Sequence, residues 1–579
     1  MSIAENGADR RAHTTAARVS DHVPNTGARR RLSICLIGPK FQPSFWGREH
    51  ALDVQPGEKR AWMMGGALPL LAALTPEGHD VRLIDEAVED IDFDALGAYD
   101  IIGVTGMIVQ RDRMRDILLR LRALPALVVV GGPYAAIDEP FFDGLCDVLF
   151  VGEAEETWPR FIEDFAAHRP IERRYEQTGR TDMTRLPKPR IDLLKQQHYM
   201  AASLQYSRGC PFRCEFCDII VIYGRKPRVK TPGQVIAELD DLRRDGIKVC
   251  FIVDDNFIGN KREAKLLLPE IIRWQEAHGY PLIISTEATI NLADDPELMD
   301  LMYRANFREV FIGLESPREA SLRETKKIQN VHGDPLAEKL ARIRDAGIVV
   351  SAGFIVGFDN DDASIFDEQY RFIQDNAIGQ ASLGILMALP RTPLHARLER
   401  EGRLRDDGDT CNFEPAQMSR AELVDGCAEL LRRLYEPEAF FERVLGNIAA
   451  SRPFREKRAR ILAWSKPADR ASPLTAARDL LVMTLRLGRA LRRDRMLLSM
   501  GRRYLALYRG TGGRGPRLSL HNFLSLCILH RHHYKLSRTG GDARSLNMFD
   551  AAPLGASSRP ALPPAYGPPK MARESLRQA

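Results

Sequence analysis

No stretch of this 579-residue sequence approaches the roughly 18 consecutive apolar residues that a membrane-spanning helix needs. Residues 1–30 have no apolar core, so no secretory leader is expected. Nine cysteines are few and odd in number, and six of them (Cys35, Cys146, Cys250, Cys411, Cys427 and Cys527) have no disulfide-framework spacing. These absences point to a reducing, cytoplasmic setting, where a cysteine cluster means metal or catalysis more often than a bridge. Phosphate-binding glycine motifs are absent too: VVVGGP at 128–133 is not G-x-G-x-x-G, and no Walker lysine follows it. No repeat of solenoid or propeller period occurs. No recognised nucleic-acid motif accompanies the basic residues, so no nucleic-acid partner is expected.

What the chain does have is the stretch YSRGCPFRCEFC. It places Cys210, Cys214 and Cys217 at C-x3-C-x2-C, with Phe216 just before the last thiol. Structural zinc closes a tetrahedron with four ligands, usually from two pairs. Here no second pair exists, and no His follows Cys217 for 20 residues. Three thiolates suit a four-iron cluster with one iron left open. A three-thiolate zinc with an open position is the competing reading.

Strand-like apolar runs alternate with amphipathic helices on both sides of this loop. From 196 to 390 there are six such units, beginning at SLQYS, which argues a parallel sheet covered by helices. Ligands gather at the carboxyl ends of such strands. The candidates there are Asp254, Asp255 and Asn256; Glu287; Glu315 and Ser316; and Gly357 and Asp359. A second series, 31–165, shows five strands and reads as an open doubly wound, Rossmann-like sheet. Its rim would be Gly38, Pro39, Thr105, Gly106, Gly131, Gly132, Pro133, Gly152 and Glu153. A glycine-rich rim without a phosphate fingerprint suits a large flat ligand. The polar segment 166–195 reads as the linker between the two units.

Beyond 390 the pattern is helical to about 545. Residues 451–540 hold 21 Lys and Arg against 4 Asp and Glu, in a chain of net charge +5. A helix over 480–509 would align Arg486, Arg489 and Arg493, with Arg502 and Arg503 further on, among leucines. That pattern fits an anionic membrane surface. LHRHHYK at 529–535 reads as solvated histidines rather than a metal site. Residues 1–30 and the Pro/Ala/Gly-rich 546–579 are expected to be disordered.

The stretch CPFRCEFC resembles the cluster motif of radical S-adenosylmethionine (SAM) enzymes. That resemblance implies a partial (β/α)6 barrel and a [4Fe-4S] cluster on Cys210, Cys214 and Cys217. It also implies SAM chelated to the open iron and cleaved to a 5′-deoxyadenosyl radical, with an electron donor of flavodoxin or ferredoxin type. By the same resemblance DDNF meets the SAM amino group, GLES the ribose and carboxylate, and the strand carrying Gly357 the adenine. VVVGGPYA and LFVGEAEET are similar to the cobalamin-binding domain that precedes many such barrels. Here the Asp-x-His-x-x-Gly motif is missing and neither His50 nor His79 replaces it, which implies cobalamin without a protein imidazole on cobalt. YGRKPRVKTP and DDNFIGN look most like the hopanoid C-2 methyltransferase and bacteriochlorophyll side-chain methylase group. The implied function is methylation of an unactivated carbon of a hydrophobic isoprenoid or tetrapyrrole-like substrate. The expected location is the cytoplasm, with the basic helices as candidates for peripheral contact at the inner membrane face. Two readings compete: another radical reaction such as oxidative porphyrin cyclisation, and a regulatory cofactor-binding protein without turnover.

Overall fold

Runs such as LVVVG and VLFVG are apolar on both faces, as parallel strands covered by helices on both sides must be. The computed structural model describes residues 30–405, 411–464, 472–514 and 518–539. Almost all of the two ends expected to be disordered lies outside those residues. The first seven strands are β1 Ser33–Gly38, β2 Ala61–Met63, β3 Asp80–Asp85, β4 Ile101–Thr105, β5 Leu127–Gly131, β6 Val148–Gly152 and β7 Arg174–Gln177. All but β2 form one parallel sheet in the order β3-β1-β4-β5-β6-β7. The chain direction across the sheet reverses between β1 and β4, and such a switch point opens a crevice at the strands' carboxyl ends. Six strands stand where five were expected. The sixth, β7, lies inside the segment read as a linker, because its short polar sequence RYEQ is that of an exposed edge strand.

The second sheet contains β8 Tyr199–Leu204, β11 Val249–Ile252, β12 Ile283–Glu287, β13 Phe307–Glu315, β14 Val349–Val356 and β15 Ala381–Ile385. These are the six expected strands, all parallel and in chain order. The short strand β2 pairs with β8 as a seventh, so the N-terminal segment contributes to both sheets. A small antiparallel ribbon, β9 Ser207–Arg208 with β10 Arg228–Val229, brackets the cysteine loop.

The C-terminal part is helical, as expected. The helix expected over 480–509 is broken, however, into Pro473–Arg493 and Met500–Arg514. Asp494 ends the first piece: its carboxylate accepts from the Met496 amide and pairs with Lys535 at 2.8 Å. Two of the five stripe arginines also turn onto the protein. Arg486 donates to the carbonyls of Gln55 and Gly57, and Arg503 pairs with Glu436 and Glu438. The histidines read as solvated are in fact buried: His530, His532 and His533 face inward from helix Leu520–Thr539. Among the described residues, no helix is long and apolar enough to cross a membrane.

Candidate functional site

The cysteine loop follows β8 and is tied down at several points. Cys210 N donates to Gly224 O, and Cys217 N to Cys214 O. Glu215, inside the loop, gives its carbonyl to Leu394 N and its carboxylate to Arg397 at 2.7 Å, so the first helix of the C-terminal part clamps it. Burial pushes the Cys210 and Cys217 thiols upward, and Asp218 adds to this at Cys217. Metal must therefore displace protons from these thiols. Two side-chain amides reach the sulfurs: Asn256 Nδ2 is 3.9 Å from Cys210 Sγ, and Gln329 Nε2 is 3.5 Å from Cys214 Sγ. Such contacts orient and tune a thiolate-held cluster. Among the described residues no three His, Cys, Asp or Glu side chains converge on a single-ion site. A cube needs no such convergence, since each thiolate binds a different iron.

Three carboxylates crowd the adjoining strand ends. Asp254 accepts from the amides of Tyr206 and Ser207 and from the Ser207 hydroxyl, all at 2.8–2.9 Å. Asp255 accepts from Gly209 N at 2.6 Å. Burial lifts Asp254 to about 7 and Asp255 to about 6. Glu287, half-buried and without a side-chain partner among the described residues, is lifted to about 8 by burial and by those two neighbours. Because burial raises all three, and the two aspartates raise Glu287 further, a cation placed among them would favour their ionised forms. Across the site Glu315 ends β13 at φ 64°, a left-handed conformation rare for a non-glycine residue, where the β13–β14 register shifts. Its carboxylate pairs with Lys327 at 2.6 Å, both side chains buried. Burial opposes the Lys327 charge, but the Glu315 carboxylate, and Cys214 as a thiolate, outweigh it and keep the ammonium protonated. Ser316 is buried and caps the following turn through Arg318 N. Gly357, at φ 105°, donates to Asp361; a Cβ there would meet Leu423 at 2.9 Å.

The second crevice is of another kind. At the switch point β1 and β4 end in loops carrying Phe41 and Met107, 44% and 45% exposed. Thr105, Gly131, Gly132 and Pro133 line the same rim and are partly exposed, while Gly38 lies against Leu68. Gly132 sits at φ 98°, where a Cβ would collide with Thr105 Oγ1, so its absence of a side chain serves the turn itself. Neither candidate histidine faces this rim: His79 accepts from Leu32 N at the opposite end, and His50 packs at a tilt against His532. Gly152 is partly exposed, but Glu153 is committed elsewhere. Its carboxylate takes Arg228 at 2.5 and 3.0 Å and Thr181 N at 2.8 Å. Burial works against its charge, yet those partners hold its pKa down. With Arg208–Glu155 at 2.5 Å, it fastens the rim to the β9–β10 ribbon and sets the two crevices beside each other.

Comparison with known proteins agrees with this geometry. Residues 204–373 match the radical SAM superfamily, and 392–543 match a domain of unknown function (DUF4070). An uncharacterised methyltransferase of Synechocystis is 40% identical over 70% of this chain and 77% of its own length. The hopanoid C-2 methylase of Rhodopseudomonas palustris is 34% identical over 73% of this chain and 80% of its own. The chain belongs to the radical SAM methyltransferases that include the hopanoid C-2 methylase. In fold it is similar to the cobalamin-dependent SAM radical enzyme OxsB, solved with aqua-cobalamin and SAM. The TM-score there is 0.56 at 16% identity, covering 88% of this chain and 84% of that one.

For a radical SAM enzyme the expected cysteines and strand-end acids stand together at one end of the second sheet. Lys327, Gln329 and Arg397 were missed. They lie in loops and helices far along the sequence, and nothing in KKIQN or LHARLER signals a partner more than 100 residues upstream. The paired lysines at 326–327, just after GLES, were the one available hint.

Proposed function

We propose that this enzyme methylates an unactivated carbon of a polycyclic isoprenoid, with a tetrapyrrole as the second reading. The observation that carries it is the similarity to the hopanoid C-2 methylase, which extends across about three-quarters of both chains. When bound, the cluster and SAM supply a hydrogen-abstracting radical and cobalamin supplies a methyl group. The residues present fit these groups. Cys210, Cys214 and Cys217 hold the cluster, and the Asp254, Asp255 and Glu287 carboxylates receive the cationic end of SAM. Lys327, paired with Glu315, places a fixed positive charge beside the thiolates. The open rim of Thr105, Gly131, Gly132 and Pro133, with Phe41 and Met107, offers an apolar and backbone surface to a broad macrocycle.

Such a substrate concentrates in membranes, and the C-terminal helices suit an interfacial contact. Leu474, Leu481 and Leu485 recur at helical spacing on one face of Pro473–Arg493 and are 58–84% exposed. Exposed Arg489, Arg492 and Arg493 flank or extend that face, the composition of a helix lying in an anionic interface. A one-electron donor of flavodoxin or ferredoxin type completes the reading.

The test is anaerobic reconstitution followed by incubation with a pentacyclic triterpene and a chemical reductant. The expected outcome is 5′-deoxyadenosine together with a product heavier by one methylene. A product of unchanged carbon count would replace methylation with another radical reaction, and methylation of a tetrapyrrole alone would transfer the assignment to the second reading.

A further inference from the structure

Along β11, β13 and β14 the side chains that face the surrounding helices are sealed: Cys250, Ile252, Val310, Ile312, Ala352 and Val356 are fully buried. Their neighbours Phe251, Phe311 and Ile355 face the inside of the curled sheet and stay partly accessible. A barrel packed by its own side chains would bury both sets. The packing is missing because inward positions are small. Gly313, Gly353 and Ser382 stand in register on three adjacent strands, and Ser203 and Ser285 flank Phe251. The hollow is therefore written into the strand sequences.

The loop after β1, from the other sheet, inserts Trp46 into this hollow. Its ring lies edge-on at 4.6 Å from the Phe311 centroid and 6.1 Å from that of Phe251. Two residues on, Arg48 donates to Gln380 at 3.0 Å, and Gln380 donates to Glu309 at 3.2 Å. Glu309 is near the amino end of β13 and Gln380 just precedes β15. The aromatic group thus stands between a polar floor and the carboxyl ends where the cysteines lie. The loop is braced from behind. His532 Nε2 pairs with Ser44 O at 3.0 Å, and Arg531 grips Asp53 at 2.7 Å. His533 packs against Phe45 and stacks on Tyr435. Burial holds His532 down to about 3, so its part of the brace is uncharged.

We infer that Trp46, with Phe251 and Phe311, forms the apolar end wall of the substrate chamber and sets how deep a rigid ring system enters. The inference rests on the isoprenoid reading above. Aromatic rings supply large apolar contact at little conformational cost. A wall braced in advance spends no binding energy on ordering itself. Depth of entry decides which carbon lies under the radical, so Trp46 is a specificity-determining residue contributed by the N-terminal segment.

The experiment uses the full reconstituted chain with a pentacyclic triterpene. Trp46→Ala is expected to raise KM about tenfold. It should also lower the methylated product formed per 5′-deoxyadenosine by a similar factor, or move the methyl group to another carbon. Trp46→Phe should recover most of the loss, with iron content unchanged in both variants. Wild-type KM, coupling and regiochemistry in Trp46→Ala would overturn the assignment. Should that variant not fold, Phe251→Leu carries the same test, and unchanged coupling there overturns it equally. If the wild type gives no methylated triterpene, the isoprenoid reading fails and the wall assignment falls with it. If the wild type methylates and the variant matches it, only the wall assignment falls.

Discussion

At the carboxyl ends of β11 and β12 three carboxylates share one crevice, whereas at the ends of β1 and β4 the corresponding loops present Phe41 and Met107. Both crevices arise from the same rule of parallel-sheet topology. On the function proposed above, their chemistry differs because one would hold the cationic end of SAM beside a cluster and the other a broad macrocycle. The first crevice keeps its acids above their ordinary pKa and one of them, Glu287, without a side-chain partner among the described residues. In the second, the buried acids are already neutralised: Glu153 by Arg228 and Glu86 by Arg113.

The sharpest test separates the two by deletion. Alanine at Cys210, Cys214 or Cys217 should reduce iron from about four per chain to near zero, measured after anaerobic reconstitution. Cobalamin uptake, followed by its visible spectrum, should persist, and joint loss would mean that the crevices are not independent. The Glu153–Arg228 link is the next largest effect. Arg228→Ala leaves buried Glu153 only Arg208 at 3.6 Å as a cationic partner and should destabilise the chain by up to about 3 kcal/mol, seen in chemical denaturation.

Combining Phe41→Asp with Met107→Asp should weaken cobalamin binding about a hundredfold, from lost apolar burial, while iron content stays constant. An unchanged affinity would show that the rim's exposed side chains are not part of the crevice. Smaller again is a pH effect confined to the other crevice. Glu287 has its pKa raised to about 8, so it gains its charge only as pH rises through that value. SAM affinity should therefore increase, by about tenfold between roughly pH 6 and 9, and Glu287→Gln should flatten the profile. The smallest effect concerns neither crevice. Leu481→Asp with Leu485→Asp should reduce sedimentation with anionic vesicles several-fold, and Arg489→Glu should reduce it less, with both cofactors retained.

The parallel strands and the cysteine loop were legible because their signals are local. An apolar run bounded by turns marks a strand wherever it lies, and C-x3-C-x2-C declares its ligands within eight residues. The strand-end acids followed from topology. The rim residues were legible as positions but not as roles, since nothing near Glu153 announces that Arg228 will occupy it. The helical stripe misled for a related reason. Periodicity put Arg486, Arg489 and Arg493 on one side, yet it could not register that Asp494 ends the helix or that Arg503 meets Glu436 and Glu438.

By itself, the sequence determined the element types, the parallel character of both sheets, the three-cysteine loop and the absence of a cobalt-binding histidine motif. Each depends on residue identity and short-range spacing. Only the tertiary structure decided that β2 leaves its own sheet to pair with β8, and that Glu315 is held in a left-handed turn by Lys327. It alone decided that the histidines of the last described helix are buried braces, and that Trp46 enters a hollow left by glycines and serines on other strands. Those arrangements join residues tens to hundreds of positions apart. Their energies come from burial and pairing that exist only once the two sheets and the helical extension have closed on one another.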